Sequence, residues 1–121
     1  MRSSASGKQG IIGRLMDARV RDILTDLRGR LAEHYGARLR NVVLFGSQAR
    51  GDAEPDSDID VLVVLAGEVA PCTEIRRTGD IVSDVSLKYD ACVVCVFVSE
   101  AEFQREQSPL ILNVRREGVP V

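Results

Sequence analysis

Residues 42–65 read VVLFGSQARGDAEPDSDIDVLVVL, which is two apolar runs separated by a polar segment. The runs Val42–Phe45 and Ile59–Leu65 are short and continuous, and each contains β-branched residues, as is typical of buried strands. The segment between them contains glycine, proline and alternating acidic residues and is typical of an exposed loop. The stretch therefore predicts two strands, with a Gly-Ser turn at the end of the first and two aspartates at the start of the second.

The remaining elements are predicted from apolar spacing and from capping residues. They are a helix over Met16–Tyr35 that ends at Gly36, a helix over Glu74–Lys88 with Ile75, Val82 and Val85 on one face, a strand over Ala91–Val98, a helix from Glu100 and a helix from Pro109 that stops at Gly118. The last two starts rest on a capping box at Ser99 and Glu102 and on an N-cap serine before Pro109. This order predicts an α/β (α+β) fold in which helices cover a small sheet.

Length and charge limit the classes of function. The 121 residues fit one domain, which we place at 13–121 after a disordered leader over 1–12. With 16 basic and 18 acidic residues the chain lacks the basic excess of a nucleic-acid binder. The aromatic fraction of 4% and the absence of tryptophan argue against a base-stacking surface. No signal-peptide pattern or membrane-span pattern is present, so we expect a cytoplasmic protein.

Three cysteines, Cys72, Cys92 and Cys95, are expected to be reduced thiols in that compartment. Cys92 and Cys95 lie in an apolar run, where positions three apart point to opposite faces of a strand. We therefore expect buried core thiols and not a metal or redox pair. His34, the single histidine, is expected at the surface near a helix end.

The turn at Gly46 and Ser47 is a candidate anion site. Gly46 has no Cβ, so a phosphate can approach the backbone closely. If Ser47 begins a short helix through Arg50, the exposed N–H groups and the helix dipole favour an anion, and Arg50 can add a charge-assisted hydrogen bond. The alternative is a plain strand-to-helix turn with Ser47 as its cap.

Asp58 and Asp60 form a candidate metal site. On a strand, residues two apart point to the same face and lie about 6.6 Å apart along the strand. Carboxylates at this separation can converge on one magnesium ion or flank two. The alternative is a polar strand end that faces water. Asp90, which precedes the next predicted strand, is the best third carboxylate, whereas Asp80 and Asp84 fall on a predicted helix.

A calcium loop is the competing interpretation of these acids, because Asp56, Asp58 and Asp60 match the first three ligands of an EF-hand. The sixth position would then be Val61 in place of glycine, and the twelfth would be Gly67 in place of glutamate. We reject this interpretation.

Gly46-Ser47, ten further residues and then Asp58-Ile59-Asp60 resemble the signature of the nucleotidyltransferase superfamily that includes DNA polymerase beta. More narrowly, FGSQARG at 45–51 with SDIDVLV at 57–63 looks like the minimal nucleotidyltransferases of bacteria and archaea. The likeness extends to Asp90 and to Pro109–Val119, and so covers most of residues 16–121.

This resemblance implies a mixed-sheet fold that binds ATP or another nucleoside triphosphate with Mg²⁺, with two ions expected. Gly46 and Ser47 would hold the triphosphate, and Asp58, Asp60 and a third carboxylate would hold the metal. Asp90 fits the family's hydrophobic-acid-hydrophobic context for that third group. Many minimal members are antitoxins of a small helical HEPN-type toxin, and some inactivate it by adenylyl transfer. Two functions stay open here: transfer of AMP to a partner's hydroxyl, and neutralisation of a partner by contact alone.

Overall fold

The computed structural model describes residues 17–51, 54 and 57–121. The predicted leader over 1–12 and the predicted first helical residue, Met16, lie outside these ranges. In chain order the elements are α1 (Ala18–Tyr35), a 3-10 turn (Gly36–Arg38), β1 (Leu39–Phe45), α2 (Ser47–Arg50), β2 (Ile59–Leu65), α3 (Pro71–Arg77), α4 (Gly79–Tyr89), β3 (Val93–Ser99), α5 (Glu100–Arg105), α6 (Pro109–Glu117) and β4 (Val119–Pro120).

The strands form one mixed sheet in the order β3-β2-β1-β4. β1 pairs antiparallel with both β2 and β4, whereas β2 and β3 are parallel. Phe45, the last residue of β1, pairs with Asp60 near the start of β2, and Asp60 in turn pairs with Val94 of β3. The register therefore brings the Gly-Ser turn and the Asp-Ile-Asp segment to the same end of the sheet. The predicted mixed sheet covered by helices is confirmed.

Helices cover both faces of the sheet, and β2 is buried on both sides. Its residues Ile59, Val61, Val63 and Leu65 belong to a core shared with α1 and α4. Leu62 and Val64 point the other way and pack with Ile111 and Val114 of α6. Because successive strand residues alternate between faces, Asp60 lies on the α6 side together with Leu62. A strand buried on both faces explains the continuous apolar run of β2.

The single helix predicted over Glu74–Lys88 is wrong, because Thr78 divides the segment into α3 and α4. Thr78 leaves the helical region (φ −99°, ψ 6°), and its buried hydroxyl donates to the Glu74 carbonyl at 2.8 Å. A threonine bonded to its own preceding turn, followed by glycine, weakens helix continuation. Val85 is buried as expected, whereas Ile75 is 52% exposed.

Several smaller expectations have clear outcomes. The capping box of Ser99 and Glu102 is confirmed, as is the Ser108 cap of the last helix. The third strand begins at Val93 instead of Ala91, because Asp90 adopts a left-handed conformation (φ 50°) that ends α4. The two-residue β4 is too short to be visible in the sequence.

None of the helices in the described ranges is long and apolar enough to cross a membrane.

Candidate functional site

The turn after β1 is built on Gly46. Its backbone (φ 78°, ψ −158°) lies in a region that residues with a side chain rarely adopt. The Gly46 carbonyl accepts hydrogen bonds from the N–H groups of Ala49 (3.1 Å) and Arg50 (3.2 Å), which starts the one-turn helix α2. Gly46, not Ser47, is the N-cap, and no side chain caps this helix. The short helix from Ser47 to Arg50 on which the anion-site hypothesis depends is present, and the interpretation of Ser47 as a cap is wrong.

Asp60 lies directly against this turn. An ideal Cβ built on Gly46 would come 2.6 Å from Oδ2 of Asp60, which is closer than real Cβ contacts. Asp60 is half-buried, and both its burial and the charge of Asp58 raise the pKa of its carboxyl group. Two neighbouring carboxylates that repel each other, one of them withdrawn from water, would be stabilised by a cation.

Gln48 ties the turn to the segment that precedes Asp58. Its Nε2 atom in α2 donates to the Ser57 carbonyl at 3.3 Å. This link could not be predicted from the sequence, because only the antiparallel pairing of β1 and β2 makes the two residues neighbours. The bond holds the start of Asp58-Ile59-Asp60 beside the Gly-Ser turn.

Cys92 is a neighbour of the site that the sequence interpretation missed. Its thiol is exposed, so the expectation of a buried core thiol is wrong for this residue. The pKa of the Cys92 thiol is raised mainly by its hydrogen bond to the Asp58 carboxylate, and in second place by the negative charge of that carboxylate. The Ile59 N–H donates to the Cys92 carbonyl at 2.8 Å, which aligns Cys92 with Asp58 across the parallel strands. Cys95 lies on the opposite face, as expected, and burial raises the pKa of its thiol to about 12.

Asp90 is exposed at the end of α4, three residues before β3 begins. Its carbonyl accepts a hydrogen bond from Nη2 of Arg19 at 2.9 Å, which anchors it to α1. Within residues 17–51, 54 and 57–121, no three His, Cys, Asp or Glu side chains form a group that could hold a metal ion. The structure thus groups Asp58 with Asp60 but does not add Asp90, and the β3 residue paired with Asp60 is the apolar Val94. The role of Asp90 as a third ligand stays a prediction.

Arg50 lies at the far end of α2, and its Nη1 atom is 3.6 Å from Oε1 of Glu117. It is therefore held near the same end of the sheet by the last turn of α6. Its role as a ligand of phosphate stays a prediction.

The donor set suits a hard divalent cation with phosphate. Asp58 and Asp60 offer carboxylate oxygens, which are the ligands that Mg²⁺ prefers. Because Gly46 has no Cβ to collide with Oδ2 of Asp60, the backbone of the turn lies directly against this carboxylate. The residues present therefore fit a metal-bound phosphate group.

Comparison with known proteins agrees with this chemistry. A family model described as a nucleotidyltransferase domain matches residues 24–116, which include the turn and both aspartates. Two proteins of Methanocaldococcus jannaschii, each carrying a name that proposes protein adenylyltransferase activity, are similar in sequence. One is 34% identical over 73% of this chain and 83% of its own length. The other is 36% identical over 60% of this chain and 72% of its own length.

A solved structure of similar fold is the crystal structure of a toxin–antitoxin with AMP-PNP. It superposes with a TM-score of 0.55 at 20% sequence identity, covering 78% of this chain and 68% of that one. At this identity the likeness concerns the fold alone.

Proposed function

Because this chain belongs to the nucleotidyltransferase domain family, we propose that it transfers a nucleoside monophosphate, AMP from ATP, to a hydroxyl group of a partner protein. The observation that carries the proposal is the close approach of Gly46 and Asp60, which places a phosphate-type turn against one of a pair of carboxylates. A strand-to-helix turn alone, or an aspartate pair alone, is found in proteins of many functions. A turn in contact with an aspartate pair is suited to bind a triphosphate together with its metal ion.

In this proposal Gly46 and Ser47 bind the triphosphate, with Arg50 adding positive charge. Asp58 and Asp60 hold Mg²⁺, which when bound supplies the charge that offsets the triphosphate and the departing pyrophosphate. Asp90 enters as a third carboxylate, and its exposed side chain would have to approach Asp58.

The reaction exchanges one bond to the α-phosphorus for another. The acceptor oxygen bonds to the α-phosphorus, the bond to the β-phosphate oxygen breaks, and pyrophosphate leaves. The acceptor also loses a proton. Asp60 and Asp90 are the two candidates for the base that accepts it, since both are carboxylates of the proposed site.

The proposed acceptor is a small helical HEPN-type toxin, with this chain as its antitoxin in the cytoplasm. Two facts support this partner: the relatives' names propose protein adenylyl transfer, and a protein of similar fold is part of a toxin–antitoxin.

A second candidate function is neutralisation of a partner by contact, without transfer. The absence of a three-ligand metal group among the described residues favours this alternative. The two functions differ in whether ATP and magnesium bind. A thermal shift with both present in excess supports the enzyme, and no shift supports the contact-only protein.

The deciding experiment incubates the full chain with the product of the neighbouring open reading frame, Mg²⁺ and ATP labelled at either the α- or the γ-phosphate. Nucleotidyl transfer predicts that only the α-label enters the partner. Entry of the γ-label would indicate phosphoryl transfer, and entry of neither would leave contact as the better explanation. The double variant Asp58→Asn/Asp60→Asn is the matched control, and labelling that persists in it would contradict the proposed site.

A further inference from the structure

β3 forms an exposed edge of the sheet. Among residues 17–51, 54 and 57–121 it is the terminal strand in the order β3-β2-β1-β4, and within that part of the chain only its β2 side is paired. Its sequence VVCVFVS contains no charge, no proline and no glycine. Edge strands usually carry charged residues, proline or a bulge, because an edge strand without them can pair with strands of other molecules. The sequence of β3 therefore lacks the usual protection against edge pairing.

The pairing of β3 with β2 shows which main-chain groups of β3 face away from the sheet. The Ile59 N–H donates to the Cys92 carbonyl, so in the parallel ladder the even-numbered residues from Cys92 onward face β2. The odd-numbered residues then face the free edge. The N–H groups at the two ends of this edge are occupied, because the Val93 N–H donates to Oγ of Ser86 and the Ser99 N–H donates to Oε1 of Glu102. Between them lie the N–H and C=O groups of Cys95 and Phe97.

We propose that β3 pairs antiparallel with β3 of a second copy of this chain, about a twofold axis at Val96. In this register Cys95 of each copy faces Phe97 of the other, and the two residues exchange both hydrogen bonds. Val96 faces its own counterpart as a pair without hydrogen bonds. The arrangement uses the N–H and C=O groups of Cys95 and Phe97 in each copy and joins two four-stranded sheets into one of eight strands.

A groove beside the same edge supports a strand as the occupant. It has a volume of about 360 Å³, and every residue that lines it is uncharged. Ile75 of α3, Val82 of α4, and Val94 and Phe97 of β3 are among the residues that line it. Ile75 and Val94 are 52% and 38% exposed, so pairing would cover apolar surface that now faces water.

The symmetry of the strand favours a second copy over a foreign segment. A twofold interface brings each residue near its own counterpart, so any charge at the axis would meet its like. Neither β3 nor the lining of the groove carries a charge, and two copies can therefore approach without repulsion.

Disulfide trapping tests the register directly. Paired residues without hydrogen bonds have Cα atoms about 4.5 Å apart, within the range of a disulfide. In a background of Cys72→Ser, Cys92→Ser and Cys95→Ala, we expect Val96→Cys to form a covalent dimer on mild oxidation. Val94→Cys and Val98→Cys are matched controls on the same face, because each lies about 13 Å from its own counterpart in this register.

Sedimentation velocity of the wild-type chain at micromolar concentration completes the test, and twice the monomer mass is expected. A monomer at all concentrations overturns the pairing and leaves the edge to a strand of another protein. A dimer whose Val96→Cys form does not crosslink, or crosslinks no better than the two controls, also overturns it. Circular dichroism of each variant establishes that the fold is kept.

Discussion

Gly46 and Asp60 face each other across β1 and β2 so closely that position 46 has no room for a side chain. A Cβ at Gly46 would lie 2.6 Å from Oδ2 of Asp60 and 3.4 Å from its carboxyl carbon. The positive φ of 78° at Gly46 adds a second reason for glycine. The residue thus serves both the shape of the turn and the position of the carboxylate.

Gly46→Ala separates these two roles when it is compared with Gly67→Ala. Gly67 has a nearly equal φ of 80°, but a Cβ there meets nothing within 4 Å. We expect Gly67→Ala to lower the free energy of unfolding by about 1 kcal/mol, the ordinary cost of this backbone conformation. Gly46→Ala should cost more, about 2–3 kcal/mol, and should also abolish the thermal shift with ATP and Mg²⁺. Equal costs in urea denaturation, with the shift kept, would contradict the contact.

Asp58→Asn and Asp60→Asn should each reduce nucleotide transfer by about 100-fold or more, since a neutral amide is a poor metal ligand. The midpoint of thermal unfolding should stay the same or rise, because each change removes the repulsion that raises the pKa of Asp60. Asp80→Asn, an exposed change on α4, is the control and should leave both quantities unchanged. A variant that loses activity only because it unfolds would show a lower midpoint instead.

Much of the fold could be predicted from local sequence. β2 has the predicted bounds, and the caps at Ser99 and Ser108 begin helices where expected. These features depend on a few adjacent residues. The break at Thr78 escaped prediction because it depends on a hydroxyl that bonds its own helix in a buried position. The order of strands is likewise a property of tertiary packing and not of any one segment.

The site was predictable only where its parts are adjacent in sequence. Asp58 and Asp60 share a face because strand residues alternate, and this follows from spacing alone. The contacts of Cys92 with Asp58 and of Gln48 with Ser57 depend on strand register, which the sequence does not specify. For the same reason Asp90 was expected at the head of a strand, whereas it ends a helix.

The hydrogen bonds of the Asp26 carboxylate lead us to expect that the protein loses stability in acid. This carboxylate accepts hydrogen bonds from Arg30 (2.8 Å), Lys88 (2.9 Å) and Tyr89 (2.9 Å), which join α1 to α4. These bonds hold the pKa of Asp26 well below its usual 3.8. Because the pKa of Asp26 is lower in the folded state than in the unfolded state, the charged carboxylate stabilises the fold at pH values above the unfolded-state pKa. This stabilisation is lost as the pH falls below about 3.8.

Asp26→Asn should therefore lower the free energy of unfolding by about 1–2 kcal/mol at pH 7, and by less at pH 3. Urea denaturation of both proteins at the two pH values measures this difference. Asp22→Asn, an exposed change one turn earlier on α1, is the control and should stay within about 0.5 kcal/mol of the wild type. A difference between wild type and Asp26→Asn that is the same at both pH values would contradict the role of charge.

Tyr35 and Glu74 form a buried hydrogen bond of 2.6 Å between α1 and α3, with the hydroxyl donating to the carboxylate. Glu74 is only 3% exposed, and Nη1 of Arg38 lies 4.0 Å from its Oε2 atom. Tyr35→Phe removes a donor from a buried carboxylate and should lower the free energy of unfolding by about 1–3 kcal/mol. Glu74→Gln keeps an acceptor for the hydroxyl and should cost less.

The same bond predicts a loss of stability in alkali. Burial and the bond to Glu74 raise the pKa of Tyr35 above its usual 10.0. The folded state holds the hydroxyl proton of Tyr35 more tightly than the unfolded state does. This proton therefore contributes its full amount to the free energy of unfolding below about pH 10, and the contribution declines as the pH rises above that value. Urea denaturation between pH 9 and 11 should show a steeper decline for the wild type than for Tyr35→Phe. Tyr89→Phe, which changes the other of the two tyrosines, should retain the steep decline. Parallel curves for wild type and Tyr35→Phe would mean that the Tyr35 proton does not stabilise the fold.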